Sequence, residues 1–175
     1  MQIPLVLTVV GADRPGIVEK VADLVARHDG NWLESRMCRL GGQFAGIVRI
    51  FTTTHRRPAL TEALRALAAE GLAVAVYEDA PPARPASPAL AQIELVGQDR
   101  PGIVRQVAAV LAARGVNVEE LATECVSAPM SGETLFKARA KLQLPEQCDV
   151  AALRAELERI AADLLVDIIF EPITS

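Results

Sequence analysis

Val10-Gly-Ala-Asp-Arg-Pro-Gly-Ile-Val18 recurs as Val96-Gly-Gln-Asp-Arg-Pro-Gly-Ile-Val104, with only Ala12 and Gln98 differing. The register holds beyond the loop: Val21 matches Val107, Ala22 matches Ala108, Asn31 matches Asn117 and Glu34 matches Glu120. Agreement that runs through a whole following segment marks a duplication, so the chain reads as two copies of one unit.

Each copy starts with a short apolar run, residues 5–10 and 91–96, that ends at a glycine and reads as a buried strand. A helix follows. Pro15 and Pro101 suit its first position, because proline lacks an N–H that would be orphaned there. Ile17, Val18, Val21, Leu24 and Val25 share one helical face, as do Ile103, Val104, Val107, Val110 and Leu111. Asp29-Gly30-Asn31 closes the first of these helices. Two strands come next, at 31–40 and 43–52, with Gly41-Gly42 as their hairpin turn. Their counterparts lie at 116–126 and 134–144, joined by the longer Ser127-Ala-Pro-Met-Ser-Gly-Glu133.

Pro58 opens a second helix with Leu60, Leu64 and Leu67 inward and Gly71 at its end. The matching helix carries Val150, Leu153, Leu157 and Ile160 behind Asp149, a candidate N-cap. The last strands fall at 72–77 and 164–170. The order βαββαβ, twice, predicts an α+β protein of two ferredoxin-like domains. Each is an antiparallel four-stranded sheet with two helices on one face. Ala80-Pro-Pro-Ala-Arg-Pro-Ala-Ser-Pro88 forms neither helix nor central strand and reads as an extended linker. Domains are therefore expected at 1–79 and 89–173, with 80–88 between them.

Composition narrows the function. The chain has 175 residues, 51% hydrophobic and 23% charged, which predicts a globular protein. Lys and Arg number 18 against 22 Asp and Glu, a net charge of −4. That excludes a nucleic-acid binder working by phosphate neutralisation, which needs a basic patch. Aromatics are 3%, and Phe44, Phe51 and Phe136 lack the basic neighbours of an RNA-recognition sheet. Residues 1–88 carry +1 and residues 89–175 carry −5, so the halves differ in the surface they show.

The remaining signals exclude more than they assign. Cys38, Cys125 and Cys148 are odd in number and widely spaced, as expected of reduced, idle or buried thiols in the cytosol. Residues 1–16 lack a basic start and reach charge at Asp13, so neither a signal peptide nor a membrane span is expected. The reading is a soluble cytoplasmic protein. His28 and His55 stand apart from other ligating residues, and no metal is expected. Ser35, Ser127 and Ser131 lack a nucleophile elbow, and no phosphate-binding Gly-Lys-Ser/Thr run is present. No enzyme and no cofactor are expected.

The repeated loop is where a ligand fits. Gly-x-Asp-Arg-Pro-Gly sits where a strand hands over to a helix, and N–H groups at a helix start favour an anion such as a carboxylate. Asp13 and Asp99 either hold an ammonium group or cap their own helices. Arg14 and Arg100 either pair with a carboxylate or reach the other domain. Asn31 and Asn117 offer a donor and an acceptor each. Together these groups suit a free amino acid.

The loop, the Asn after the first helix and the βαββαβ order resemble ACT domains, regulatory modules that bind amino acids. The likeness covers nearly the whole chain, twice. It implies side-by-side pairing, of the two copies or of chains into a homo-oligomer, with an effector near the strand-to-helix loops. On matching positions it implies ligand contacts from Gly11, Asp13, Arg14, Gly16 and Asn31, and from Gly97, Asp99, Arg100, Gly102 and Asn117. Trp32 follows the first Asn where Val118 follows the second, so unequal sites are expected.

A free-standing tandem resembles regulators of the glycine cleavage system within that family. It implies a non-enzymatic protein that binds a small amino acid, glycine favoured. Such a protein controls a transcriptional activator by protein contact, without touching DNA. The alternative is a free-standing regulatory subunit of an amino-acid-metabolising enzyme.

Overall fold

The computed structural model describes residues 1–79, 89–128 and 132–173. The chain divides into two compact units, Met1–Pro82 and Ala83–Ser175. The linker predicted at 80–88, and residues 129–131 of the long second-copy loop, lie outside the described residues.

In the first unit β1 (Gln2–Ala12), α1 (Ile17–Arg27), β2 (Asn31–Leu40), β3 (Gln43–Thr53), α2 (Arg57–Ala66) and β4 (Leu72–Glu78) follow in order. A short 3-10 turn, Leu67–Glu70, extends α2. The second unit repeats the order as β5 (Ala89–Gln98), α3 (Ile103–Ala113), β6 (Asn117–Ser127), β7 (Thr134–Leu144), α4 (Val150–Leu164) and β8 (Val166–Ile173). The sheets run β2-β3-β1-β4 and β6-β7-β5-β8, with every neighbouring pair antiparallel. The ferredoxin-like reading is thus the observed fold. The repeat extends to a defect: pairing shifts between Trp32 and Glu34 in β2, and between Val118 and Glu120 in β6. One extra residue at the same place in both edge strands bends each alike.

Alternation explains the sheets. Leu5, Leu7 and Val9 are fully buried, and the residues between them face away from the helices. Ala91, Ile93 and Leu95 do the same in β5. Val21 and Val25 of α1 and Leu60 and Leu64 of α2 complete the first core. Leu111 of α3 and Leu153 and Leu157 of α4 complete the second. Among the described residues Thr52 is the buried polar one, and its hydroxyl donates to the His28 carbonyl at 3.3 Å. The Asp149 side chain caps α4 by accepting from the Ala152 N–H at 2.9 Å. The Gly41-Gly42 turn has φ of 58° and 78°, as a two-residue hairpin of this twist requires.

Two expectations need correction, and two open alternatives are narrowed. Pro15 and Pro101 do not open their helices, which start two residues later at Ile17 and Ile103. Gly16 and Gly102, at φ of 89° and 96°, turn the chain in a left-handed step that proline cannot lead directly into a helix. Val18 and Val104 are not inward; each is 44% exposed, because the stripe facing the sheet is narrower than the apolar run. Of the two readings left open for the thiols, burial is removed for Cys38 and Cys125, which are exposed on edge strands. Asp13 and Asp99 do not cap α1 and α3, which have no side-chain cap.

Candidate functional site

The loop after the first strand is fixed by backbone. The Asp13 N–H donates to the Gly42 carbonyl at 2.9 Å, and the Asp99 N–H to the Thr134 carbonyl at 3.0 Å. Both bonds tie the loop to the start of the third strand of its sheet. On the other side Gly11 and Gly97 admit the last strand. A Cβ on Gly11 would stand 2.6 Å from the Gly71 carbonyl oxygen, and one on Gly97 would stand 2.8 Å from the Val166 Cα. Packing alone is enough to require glycine at both positions. Past the left-handed step, the Lys20 N–H closes the first turn of α1 on the Gly16 carbonyl at 2.9 Å, and the Gln106 N–H does so on Gly102 at 3.0 Å. The N–H groups ahead of them are the ones a helix start leaves without intrahelical partners.

The side chains then diverge. Asp13 pairs with Arg39 of β2, Oδ2 to Nε at 2.5 Å. Arg14 donates from Nη2 to the Glu70 carbonyl at 2.8 Å, and Lys20 pairs with the Glu70 carboxylate. The hydrogen bond and charge of Lys20 hold the Glu70 carboxyl below its ordinary range; burial opposes this and Arg14 adds to it. In the second unit Arg100 turns back to Gln98, donating to its Oε1 at 3.1 Å, and Gln106 stands where Lys20 stands. Neither arginine is placed on a carboxylate of its own loop.

An open cavity of about 680 Å³ lies against the first loop, with Arg14, Gly16, Glu19, Lys20 and Asp23 on its wall. Two cations and two carboxylates around one opening suit both ends of a zwitterion. Lys20, Glu70 and Arg39 were not singled out from sequence. Lys20 carries a readable signal, one turn into the helix from Gly16. Glu70 and Arg39 reach the loop only through the tertiary fold.

The Asn residues are not at the loop of their own unit. Asn31 pairs with Phe51, which pairs with Pro4, while Gly11 pairs with Phe44. Asn31 is thus seven positions along the sheet from Gly11, about 23 Å at strand spacing. Asn117 opposite Gln143 and Leu90, against Gly97 opposite Phe136, repeats the same separation. Each unit therefore brings Gly11, Asp13, Arg14 and Gly16, or Gly97, Asp99, Arg100 and Gly102, into one loop. It leaves its Asn at the far end of the sheet.

Other features stay bland. Among the described residues no group of three or more His, Cys, Asp and Glu is placed to hold a metal. No helix among them is long and apolar enough to cross a membrane. His28 ends α1, its Nδ1 2.8 Å from the Leu24 carbonyl.

Comparison with known proteins follows the same division. The ACT domain family model matches residues 4–77, nearly all of the first unit. The glycine cleavage system transcriptional repressor of Escherichia coli (strain K12) is 27% identical over 156 residues, 89% of this chain and 80% of the repressor. The protein of that name from Shigella flexneri matches to the same extent. A crystal structure of a protein of unknown function from Galdieria sulphuraria is 30% identical. It superimposes with a TM-score of 0.86 over 99% of this chain and 100% of its own. A structure provisionally assigned as a glycine cleavage system transcriptional repressor shares the fold, at 20% identity and a TM-score of 0.72, over 100% of this chain and 99% of its own. The first unit thus belongs to the ACT-domain family, and the second repeats its topology, loop and register, so the chain is a tandem of two ACT-like units.

Proposed function

We propose that this chain is a non-enzymatic regulator that binds a small amino acid, glycine favoured, and controls a transcriptional activator of glycine cleavage by protein contact. The observation that carries the reading is the 27% identity to a glycine cleavage system transcriptional repressor over 89% of the chain. The acidic balance, net −4, supports contact with a protein rather than with DNA. The paired loops, with Asp13 and Arg14 or Asp99 and Arg100 beside a helix start, supply complementary groups for an ammonium and a carboxylate.

The geometry adds a condition. A ligand the size of glycine reaches either the loop or the Asn of a given unit, because about 23 Å separate them. Binding that engages both sets draws them from different copies of the unit. The ligand then favours one arrangement of units over another, and that differential affinity shifts the population.

Isothermal titration with a panel of free amino acids, glycine and serine included, tests the reading. Saturable glycine binding is expected. It is expected to be lost in Asp13→Ala with Asp99→Ala, and also in Asn31→Ala with Asn117→Ala. No heat with any amino acid would overturn it. Loss in the Asp pair with full binding in the Asn pair would confine the ligand to the loops and remove the two-copy condition. Co-purification from cells then separates a transcriptional activator as partner from a metabolic enzyme.

A further inference from the structure

Both loops offer an Asp, an Arg and a helix start, but the chain itself engages these groups differently in its two copies. In the first unit the Asp13 carboxylate is taken by the Arg39 guanidinium, Oδ2 to Nε at 2.5 Å. Arg39 lies opposite Phe44 and Gly11 in the sheet register, and Cys125 lies opposite Phe136 and Gly97. The second copy therefore has a thiol where the first has that cation. Among the described residues Asp99 has no side-chain partner. Arg14 is engaged by the Glu70 carbonyl, a main-chain partner that no substitution removes. Arg100 holds the neutral Gln98 side chain beside it, a weaker bond than a carboxylate would make.

The helix starts differ in sign. Helix α1 carries Glu19 in its first turn, and α3 carries no acid there. A Cβ on Gly16 would stand 3.9 Å from Glu19 Oε2, and one on Gly102 would stand 3.9 Å from Gln106 Nε2. N–H groups and the helix dipole attract an anion at this place. The first unit already has a carboxylate of its own there. The second has an amide, with Arg105 at the position of Glu19. The cavity beside the first loop does not reverse the contrast. Arg14 and Lys20 on its wall both bond Glu70, and Asp23 pairs with Arg27. Glu19 remains, and it repels a carboxylate.

We propose that the second loop is the one that takes the amino-acid effector, through Asp99, Arg100 and the start of α3, while the first loop is held closed by its own Arg39 and Glu19. The inference rests on the effector reading above and adds which copy carries the site. The first loop is self-occupied: Arg39 stands in for the ammonium of a zwitterion and Glu19 for its carboxylate. Both internal occupants are exposed charges, so each competes only weakly. An exposed ion pair or a charge at a helix start weakens a competing ligand by up to about fivefold, and the two together by up to about 25-fold. The first loop is therefore a second, weaker site and not an absent one.

Isothermal titration of the full chain with glycine tests the assignment. One tight site per chain is expected. Asp99→Ala should weaken it at least about tenfold, the scale of a hydrogen bond to a charged group, and Asp13→Ala should leave it within about twofold. Exchanging the occupants should exchange the roles. Arg39→Ala with Glu19→Arg opens the first loop and brings the chain to two sites of similar affinity. Cys125→Arg with Arg105→Glu closes the second loop and weakens the tight site by up to about 25-fold. All four positions are exposed, so the fold tolerates the changes. Carbodiimide labelling of carboxylates, read by mass spectrometry without ligand, gives a second measurement. Asp99 should react several-fold faster than Asp13, and Arg39→Ala should bring Asp13 up to the same rate. Tight binding lost in Asp13→Ala and kept in Asp99→Ala would overturn the assignment and leave the effector reading standing. So would two equal sites in the wild type, or equal labelling of the two Asp residues. No heat from glycine in the wild type or any variant would overturn both.

Discussion

The two units hold the same loop by the same backbone bonds and yet arm it differently. In the first, Arg14 and Lys20 converge on Glu70, one on its carbonyl and the other on its carboxylate. In the second, Arg100 folds back on Gln98 and Gln106 replaces Lys20. Part of what the copies share is what the chain path requires, a glycine where a strand presses close and a glycine where φ is positive, and they share Asp13/Asp99 and Arg14/Arg100 besides. What they do not share is side-chain chemistry that the path leaves free. Identity of a motif between copies therefore tests the fold more severely than it tests the ligand.

The largest expected effects probe whether the two units stand on separate cores. Leu64 and Leu157 are both fully buried, one in each unit. Leu64→Ala and Leu157→Ala should each cost about 2–5 kcal/mol through lost burial and a residual cavity. Trp32, the single tryptophan, packs against the first core. Its fluorescence should follow Leu64→Ala and ignore Leu157→Ala, while circular dichroism sees both. Equal fluorescence shifts in the two variants would show that the cores unfold as one.

Next come the close approaches. Gly11→Ala meets a carbonyl oxygen and Gly97→Ala meets a strand Cα, and neither neighbour is a flexible side-chain end. Each should lose about 1–3 kcal/mol by overpacking, measured by denaturant unfolding. If both variants keep wild-type stability but lose amino-acid binding, the glycines serve a ligand and the packing account fails.

The duplication made the topology legible. Its hydrophobic periods and turn residues gave the element order, and the Gly41-Gly42 turn and the Asp149 cap stand where their chemistry placed them. Helix starts were misread because Asp-Arg-Pro-Gly looks like a proline-led helix, and only the left-handed glycine at φ 89° shows the extra turn. The site was read as one cluster because loop and Asn are near in sequence. Helix α1 intervenes and carries the chain the length of the sheet, which separates them. The contacts of Arg14 with Glu70 and of Asp13 with Arg39 join different elements and follow from no local pattern.

A smaller effect sharpens the contrast at the last turn. Gly71, at φ 78°, immediately precedes β4, and Leu165, at φ 55° and well exposed, holds the same place before β8. A left-handed conformation costs a leucine about 1–2 kcal/mol that glycine does not pay. Glycine's greater freedom in the unfolded chain offsets part of this. Leu165→Gly should therefore raise the stability of the second unit by about 0.5–1 kcal/mol, and Gly71→Leu should lower that of the first by about 1 kcal/mol. A loss in Leu165→Gly would mean that its side chain makes contacts outweighing the strain.

The smallest effects are electrostatic and are read from the pH dependence. Lys20 holds the Glu70 carboxyl below its ordinary range. Arg114 does the same for Glu156, donating from Nη2 to Oε1 at 2.8 Å and from Nε to Oε2 at 3.2 Å, with burial opposing. A carboxyl depressed in the folded state binds its proton more readily when unfolded. Its contribution is complete above the unfolded value, about 4.3 for Glu, and fades as the pH falls through the lower folded value. Glu70→Gln should flatten the acid limb of the first unit's unfolding, followed by Trp32 fluorescence. Glu156→Gln should flatten the limb seen only by circular dichroism. Both partners are partly exposed, so added salt should shrink each difference. Because Arg14 also lowers the Glu70 carboxyl, Arg14→Met should weaken the acid dependence of the first unit without abolishing it. An acid limb in Glu70→Gln identical to the wild type would mean that the Lys20 pair is not made in solution. The first loop would then have a free lysine where the second has Gln106, which would widen the difference between the units.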